Sequence, residues 1–290
     1  MTTAPDDPFV THRGLLFTVA YEILGSAADA EDVLQESWLR WAGADRSRVR
    51  DARAYLVRTV TRQSLNRLRT LSRRREEYVG EWLPEPLLTT HDVAEDIVLA
   101  ESVSMAMLTV LETLGPTERA VFVLREVFDM PYGEIAGAVG KPVATVRQIA
   151  RRARGHVAAR RPRVRVGPSE RQAVVERFLA ALHTGELQEL LEVMAPDVVM
   201  VADGGGIVPA VLSPVHGARP VAELLAGANR VELETAVVWL NGAPAGRLAF
   251  GGAPGAVSLE PDDDGRITRI SVVRNPHKLT RLDHPAELTR

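Results

Sequence analysis

The stretch KPVATVRQIARRARGHVAARRPRVR, residues 141 to 165, holds nine Lys or Arg and no Asp or Glu, inside a chain of formal net charge −3. Within it Thr145, Arg147, Gln148, Arg151, Arg152 and Arg154 fall outward on a helical spacing that turns Val146, Ile149, Ala150 and Ala153 inward. A second set, Arg58, Arg62, Asn66, Arg69 and Arg73, advances by three or four residues through 46 to 75, where eleven Arg face Asp51 alone. Of the 35 basic residues only Lys141 and Lys278 are lysines. Arg carries a permanently charged planar fork suited to phosphates and guanine edges, so two separated arginine helices predict a bipartite contact with a nucleic-acid backbone.

Acidic blocks alternate with these. Residues 22 to 36 carry Glu22, Asp29, Glu31, Asp32 and Glu36 without a base, and residues 76 to 101 carry eight acids without a Lys or Arg. Such alternation is rarer than a single charged face, and any one block taken alone suits a solvated surface.

The elements that must position these groups are helical for the first 160 residues. Leu15, Leu16, Val19, Ile23 and Leu24 repeat at helical spacing, and Gly25-Ser26 ends that helix and caps DAEDVLQESWLRW, with Val33, Leu34, Trp38 and Trp41 as its apolar stripe. A third helix runs from about Ala52 to Arg75 with Leu56, Val60, Leu68 and Leu71 inward. Residues 76 to 97 read as an acidic linker whose EWLPEP is held extended by its prolines. Helix resumes near Val98, with Leu114 the last of its apolar stripe, and stops at Gly115-Pro116, and Thr117 is expected to cap ERAVFVLREVF. The segment PYGEIAGAVGKPVATVRQIARRARGHV then reads as helix, tight turn at Gly140-Lys141-Pro142, and helix, with small Ala136 where the two pass closely. From Pro168, Ser169-Glu170-Arg171-Gln172 is expected as a capping box opening a helix to about His183, followed by a short helix from Glu186 to Met194. VVMVA, VELETAVVWL, GRLAF, AVSLEP and ITRISVVR follow as strands of an antiparallel sheet in a separate α+β domain.

With 290 residues the chain has length for two or three cores. The absence of Cys excludes disulfides and thiol chemistry, and the seven His show no paired spacing on one helix, so no metal or cofactor is expected. The start, MTTAPDDPF, has no basic-then-apolar pattern and no apolar run approaches a bilayer span, which predicts a cytoplasmic protein.

Taken in order, DAEDVLQESWLRW, AYLVRTVTRQSLNRLR and LGPTERAVFVLREVFDMPYGEIAGAVGKPVATVRQIARRAR resemble the two conserved regions of extracytoplasmic-function bacterial sigma factors. The remainder resembles SnoaL-like domains, and the whole resembles the sigma-factor group with a SnoaL-like C-terminal extension; WLPEP, DGGG and NPHKL are its most specific marks. The resemblance implies a multidomain protein: region 2 over 1–75, the linker over 76–97, region 4 over 98–163, and a SnoaL-like regulatory cone over 168–290. It further implies that Asp29, Asp32, Gln35, Glu36 and Trp38 dock on core RNA polymerase. Arg58, Arg62, Gln63, Asn66 and Arg69 would read the minus-ten element of promoter DNA; Thr145, Arg147, Gln148, Arg151, Arg152 and Arg154 would read the minus-thirty-five element. A regulatory interface would join Trp82, Leu83, Pro84, Glu85 and Pro86 of the linker to Asp203, Gly204, Gly205, Asn275, Pro276, Lys278 and Leu279.

Two positions depart from the group's pattern. Ile207 stands where Lys usually follows the glycine triplet, and His277 where NP-x-KL usually has Asp. The cone of such domains also offers an apolar pocket for an unknown small ligand, in which a buried Asp can serve as general base, as in ketosteroid isomerase. Asp203 is the candidate, but Asp before three glycines also suits a tight turn, and that reading is preferred. Two other classes stay open: a SnoaL-like isomerase fused to a DNA-binding module, and a duplex-binding repressor that needs no polymerase.

Overall fold

The computed structural model describes residues 7–160, 166–228 and 232–290, without the side chains of 72–76, Asp92, Ala94 and Ala228. Arg161, Arg163 and Arg165 of the basic stretch, and Arg73, are therefore outside this description.

Four helices open the chain: α1 (Pro8–Thr11), α2 (Arg13–Leu24), α3 (Ala27–Ala42) and α4 (Ala52–Glu76). Gly25 closes α2 at φ 69°, a left-handed conformation that glycine adopts freely, and the Ser26 hydroxyl accepts from Asp29 N–H to start α3. Leu16, Val19, Ile23, Val33, Leu34, Trp41, Leu56 and Val60 are buried together, as their spacing predicts, while Trp38 is half-buried.

The expected 76–97 linker itself contains a short helix, α5 (His91–Glu95), and is followed by α6 (Ile97–Val103), α7 (Met105–Leu111), α8 (Pro116–Phe122), α9 (Tyr132–Val139) and α10 (Val143–Arg160). Three local expectations are corrected here. The helix expected from Val98 to Leu114 breaks at Ser104, whose hydroxyl accepts from Met107 N–H and so restarts the chain as α7. Gly115, not Thr117, is the N-cap of α8: Pro116 occupies the first position, where no N–H is needed, and Gly115 N–H donates to the Glu118 carboxylate. The chain leaves α8 through a π turn over Val123–Val127 instead of continuing as one helix. The turn after α9 stands as expected, with Gly140 at φ 67°.

These helices share one core. Val146, Ile149 and Ala153 of α10 belong to the same buried cluster as Leu16 of α2 and Leu56 of α4, so the two helical regions are packed together. Leu288, near the end of the chain, joins that cluster, and Thr289 N–H donates to Thr18 Oγ1 of α2. The last residues of the expected C-terminal domain thus pack on the first helices.

The C-terminal unit contains α11 (Pro168–Thr184), α12 (Leu187–Val193), β1 (Met194–Asp203), β2 (Val215–His216), α13 (Ala218–Ala228), β3 (Leu233–Leu240), β4 (Ala243–Phe250), β5 (Ala253–Pro261) and β6 (Ile267–Val273). Its composition is α+β as expected. Gly167 caps α11, with Pro168 in the first position and Glu170 reaching back to Gly167 N–H, two residues earlier than the expected Ser169 box. The sheet runs β2-β1-β6-β5-β4-β3 and is mixed, because β6 lies parallel to β1; strand alternation has the same period in either direction and could not reveal this. The helix α13 and the short β2 were not anticipated.

Candidate functional site

Between the helical regions and the sheet, the linker runs through a buried corridor. Leu83, Pro84, Glu85, Pro86 and Leu87 are all buried, although the stretch has no regular structure. Backbone groups so placed need partners. Glu85 supplies and receives several: its carboxylate accepts from Ala27 N–H at 2.8 Å and Ala28 N–H at 3.2 Å, capping α3, while its backbone oxygen accepts from Tyr21 Oη at 2.6 Å. Burial raises the Glu85 carboxyl above the ordinary carboxylate range, and the two N–H donors and Ser26 pull it back.

On the other side the linker meets the sheet. Asp203, fully buried at the end of β1, accepts from Leu83 N–H at 2.9 Å and from Lys278 Nζ at 2.7 Å through one oxygen. Its other oxygen accepts from Tyr78 Oη at 2.5 Å and Gly205 N–H at 3.1 Å. Lys278 also donates to Leu83 O at 2.5 Å, and its ammonium lies 3.9 Å from the centre of the Trp82 ring. Asn275 Nδ2 donates to Tyr78 Oη at 2.8 Å, and Asn275 Oδ1 accepts from His277 N–H, turning the chain so that Lys278 points back at Asp203. Leu83 and Leu279 share a small apolar cluster beneath this polar set.

The glycines have distinct reasons here. Gly205, at φ 63°, sits against the Asn275 amide, and any Cβ at Gly204 would overlap Val208 O. Ile207 and His277, the two departures from the group pattern, are exposed. Of the interface residues named from the sequence, Trp82, Leu83, Asp203, Gly205, Asn275, Lys278 and Leu279 come together here, with Tyr78 as an added member, whereas Glu85 turns to the other side and bonds α2 and α3.

A second junction lies at the β3–β4 hairpin. Asn241, at φ 54° and fully buried, accepts from Leu87 N–H at 3.0 Å and donates to Tyr21 Oη at 2.6 Å and Val103 O at 2.9 Å. Linker residues 87–89 run along the edge of β3, with Thr89 N–H donating to Trp239 O and Asn241 N–H to Leu87 O. The Asn-Gly pair between two apolar runs signals this hairpin in the sequence; its side-chain partners in α2 and α6 leave no such signal.

The arginine surfaces differ in how freely they are presented. On α10, Arg147, Gln148, Arg151, Arg152 and Arg154 are exposed and Thr145 is half-buried, with Arg154 3.5 Å from Glu126. On α4, Arg58, Arg62, Asn66 and Arg69 are exposed and Gln63 is half-buried. Arg62 is engaged: Nη2 donates to Gly137 O at 2.7 Å and Nε to Ala138 O at 3.3 Å, so a cation of α4 rests on the C-terminal carbonyls of α9. Gln63 donates to Glu36 at 2.8 Å. Arg67, not singled out in the sequence, binds Asp29 at 2.6 Å and Asp32 at 3.1 Å. Gln35 is exposed, and Trp38 packs edge-on against Phe9.

Both Asp203 carboxylate oxygens are engaged, in four polar contacts, and Asp203 is not among the residues lining the cleft between the sheet and helices α11 and α13, so the geometry does not present it as a free base. No group of three or more His, Asp or Glu able to hold a metal occurs among the described residues.

Residues 9–74 match the family model for Sigma-70 region 2 and residues 104–157 that for Sigma-70, region 4. The ECF RNA polymerase sigma factor SigJ of Mycobacterium tuberculosis is 34% identical over 94% of this chain and 92% of its own. This chain belongs to the ECF RNA polymerase sigma factors. The probable ECF sigma factor SigI of the same organism is 33% identical over 93% of both chains. The crystal structure of the M. tuberculosis SigJ aligns with a TM-score of 0.75 at 32% identity, covering 93% of this chain and 96% of that one. The likeness extends through the C-terminal unit, so this sigma factor carries the linker and sheet domain as part of its family architecture.

Proposed function

We propose that this sigma factor recruits core RNA polymerase to a bipartite promoter and that its own SnoaL-like domain restrains it by holding the linker. In this reading Asp29, Asp32, Gln35, Glu36 and Trp38 dock on polymerase; Arg58, Arg62, Gln63, Asn66 and Arg69 engage the minus-ten element; Thr145, Arg147, Gln148, Arg151, Arg152 and Arg154 engage the minus-thirty-five element. The contact of Arg62 with Gly137 O and Ala138 O carries the proposal. Elements centred about 25 base pairs apart lie roughly 85 Å apart on B-DNA at 3.4 Å per pair. Two readers packed side chain to backbone cannot occupy both, so binding a promoter requires them to separate. The linker joining them is fixed to Asp203, Lys278 and Asn241, which makes the C-terminal domain the natural restraint.

The test is run-off transcription with purified core polymerase. Trp82→Ala, Leu279→Ala and the double variant are each expected to raise activity at limiting sigma factor, and the double variant by less than the sum of the two effects. Fully additive effects would count against a shared contact. Failure of the wild-type chain to bind core polymerase even at low salt would remove the reading altogether.

A further inference from the structure

The C-terminal unit holds an open cleft of about 580 Å³ between the sheet and helices α11 and α13, a size that accommodates a small organic molecule. Phe178, Leu182, Met200, Leu248 and Val272 make most of its wall apolar. Among the described residues one cation reaches it. Arg274, just after β6, donates from Nη1 to Pro209 O at 3.0 Å and lies over the Phe250 ring at 4.5 Å, yet its buried Nε has no hydrogen-bond acceptor among the described residues. Burial also holds this guanidinium below the usual arginine value. The other charged residue of the wall, Glu223, is exposed at the rim and already paired with Arg219 at 3.0 Å.

A guanidinium on an apolar wall, with only its Nη1 hydrogen-bonded among the described residues, is matched by an anion that carries hydrocarbon. We propose that this cleft binds an apolar monocarboxylate, its head group on Arg274 and its chain against Phe178, Leu182 and Leu248. The placement ties the site to the linker. Arg274 N–H and Asn275 N–H both donate to Asp203 O, and Pro209, the present partner of the Arg274 side chain, closely follows the glycine triplet. A bound carboxylate competes with Pro209 O for Arg274 one residue from the Asn275 contact with Tyr78. The regulatory consequence rests on the restraint proposed above; binding itself does not.

Isothermal titration of the full-length chain, without polymerase, separates the two. The probes are decanoate, kept below its micellar concentration, and, as a neutral control, decanol, kept below its solubility limit. Decanoate is expected to bind at least tenfold more tightly than decanol. Arg274→Met should abolish that preference, Arg274→Lys should keep a preference of several-fold, and Leu182→Trp, which fills the cleft, should remove binding of both probes. Thermal melts confirm that each variant is folded. No saturable binding of decanoate to the wild type, an undiminished preference in Arg274→Met, or full binding in Leu182→Trp would each overturn the proposal, while leaving polymerase recruitment untouched.

Discussion

Lys278 Nζ sits 2.7 Å from Asp203 Oδ2, its side chain 10% exposed and that of Asp203 wholly buried, and both bond the backbone of the same linker residue, Leu83. The ammonium takes the Leu83 carbonyl and the carboxylate takes its N–H. An ion pair of this kind requires the linker for its own satisfaction, because withdrawal of Leu83 would leave a buried donor and a buried acceptor unfilled.

Asp203→Asn is expected to destabilise the folded chain by about 3–5 kcal/mol, since it leaves Lys278 charged and buried without its counterion. Lys278→Met should cost less, because Asp203 keeps Leu83 N–H, Tyr78 Oη and Gly205 N–H. The double variant should recover part of the loss. Denaturant unfolding of the three variants measures this coupling.

Asn241 combines a left-handed backbone with three side-chain bonds, and two substitutions separate these contributions. Asn241→Gly keeps φ 54° and loses the bonds, and leaving Leu87 N–H unsatisfied costs about 1–3 kcal/mol. Asn241→Ala adds a left-handed penalty of about 1–2 kcal/mol. Limited proteolysis should cut both variants faster than wild type near residues 77–90.

Glu22 is fully buried in α2, accepting from Ser102 Oγ at 2.7 Å, while its backbone oxygen accepts from Arg119 Nε at 2.7 Å. Burial raises its carboxyl from 4.5 to about 8, against the opposing pull of Ser102 and Arg119. The folded chain therefore holds a proton that the unfolded chain releases. That contribution to stability is complete below about pH 4.5 and is lost as pH rises to about 8. Comparing wild type with Glu22→Gln across pH 5 to 9 by chemical denaturation should show the variant gaining relative stability as pH increases.

On the α10 surface the two kinds of contact should separate by salt. Arg152→Ala is expected to weaken promoter binding evenly across sequences and lower the salt slope by about one unit, whereas Gln148→Ala should relax base preference at one position by about 1–3 kcal/mol. Salt titrations on matched and mismatched duplexes distinguish them.

Much of this arrangement was legible in the sequence. Helices α2, α3, α4, α9 and α10 announced themselves through apolar spacing, Gly25-Ser26 and the Gly140 turn, and the linker, glycine triplet and NPHKL were marked by composition and resemblance. What escaped depends on contacts across long separations. Tyr78 to Asp203 spans 125 positions and Asn241 to Tyr21 spans 220, and a side-chain bond between such residues imposes no period on either segment. The parallel pairing of β1 with β6 escaped because alternation carries no direction. The spacing puts Arg62 on the exposed face of α4, but that this face rests on α9 is a property of packing.

The most direct test uses the absence of native cysteine. Spin labels at Thr70→Cys and Ala158→Cys, exposed positions on α4 and α10, report the separation of the two readers by pulsed electron resonance. The wild-type free chain should give one short, narrow distance distribution that lengthens by tens of ångströms with core polymerase and promoter DNA, and Asp203→Asn should broaden it before either is added. A distance unchanged by polymerase and promoter, or an Asp203→Asn distribution identical to wild type, would contradict the restraint.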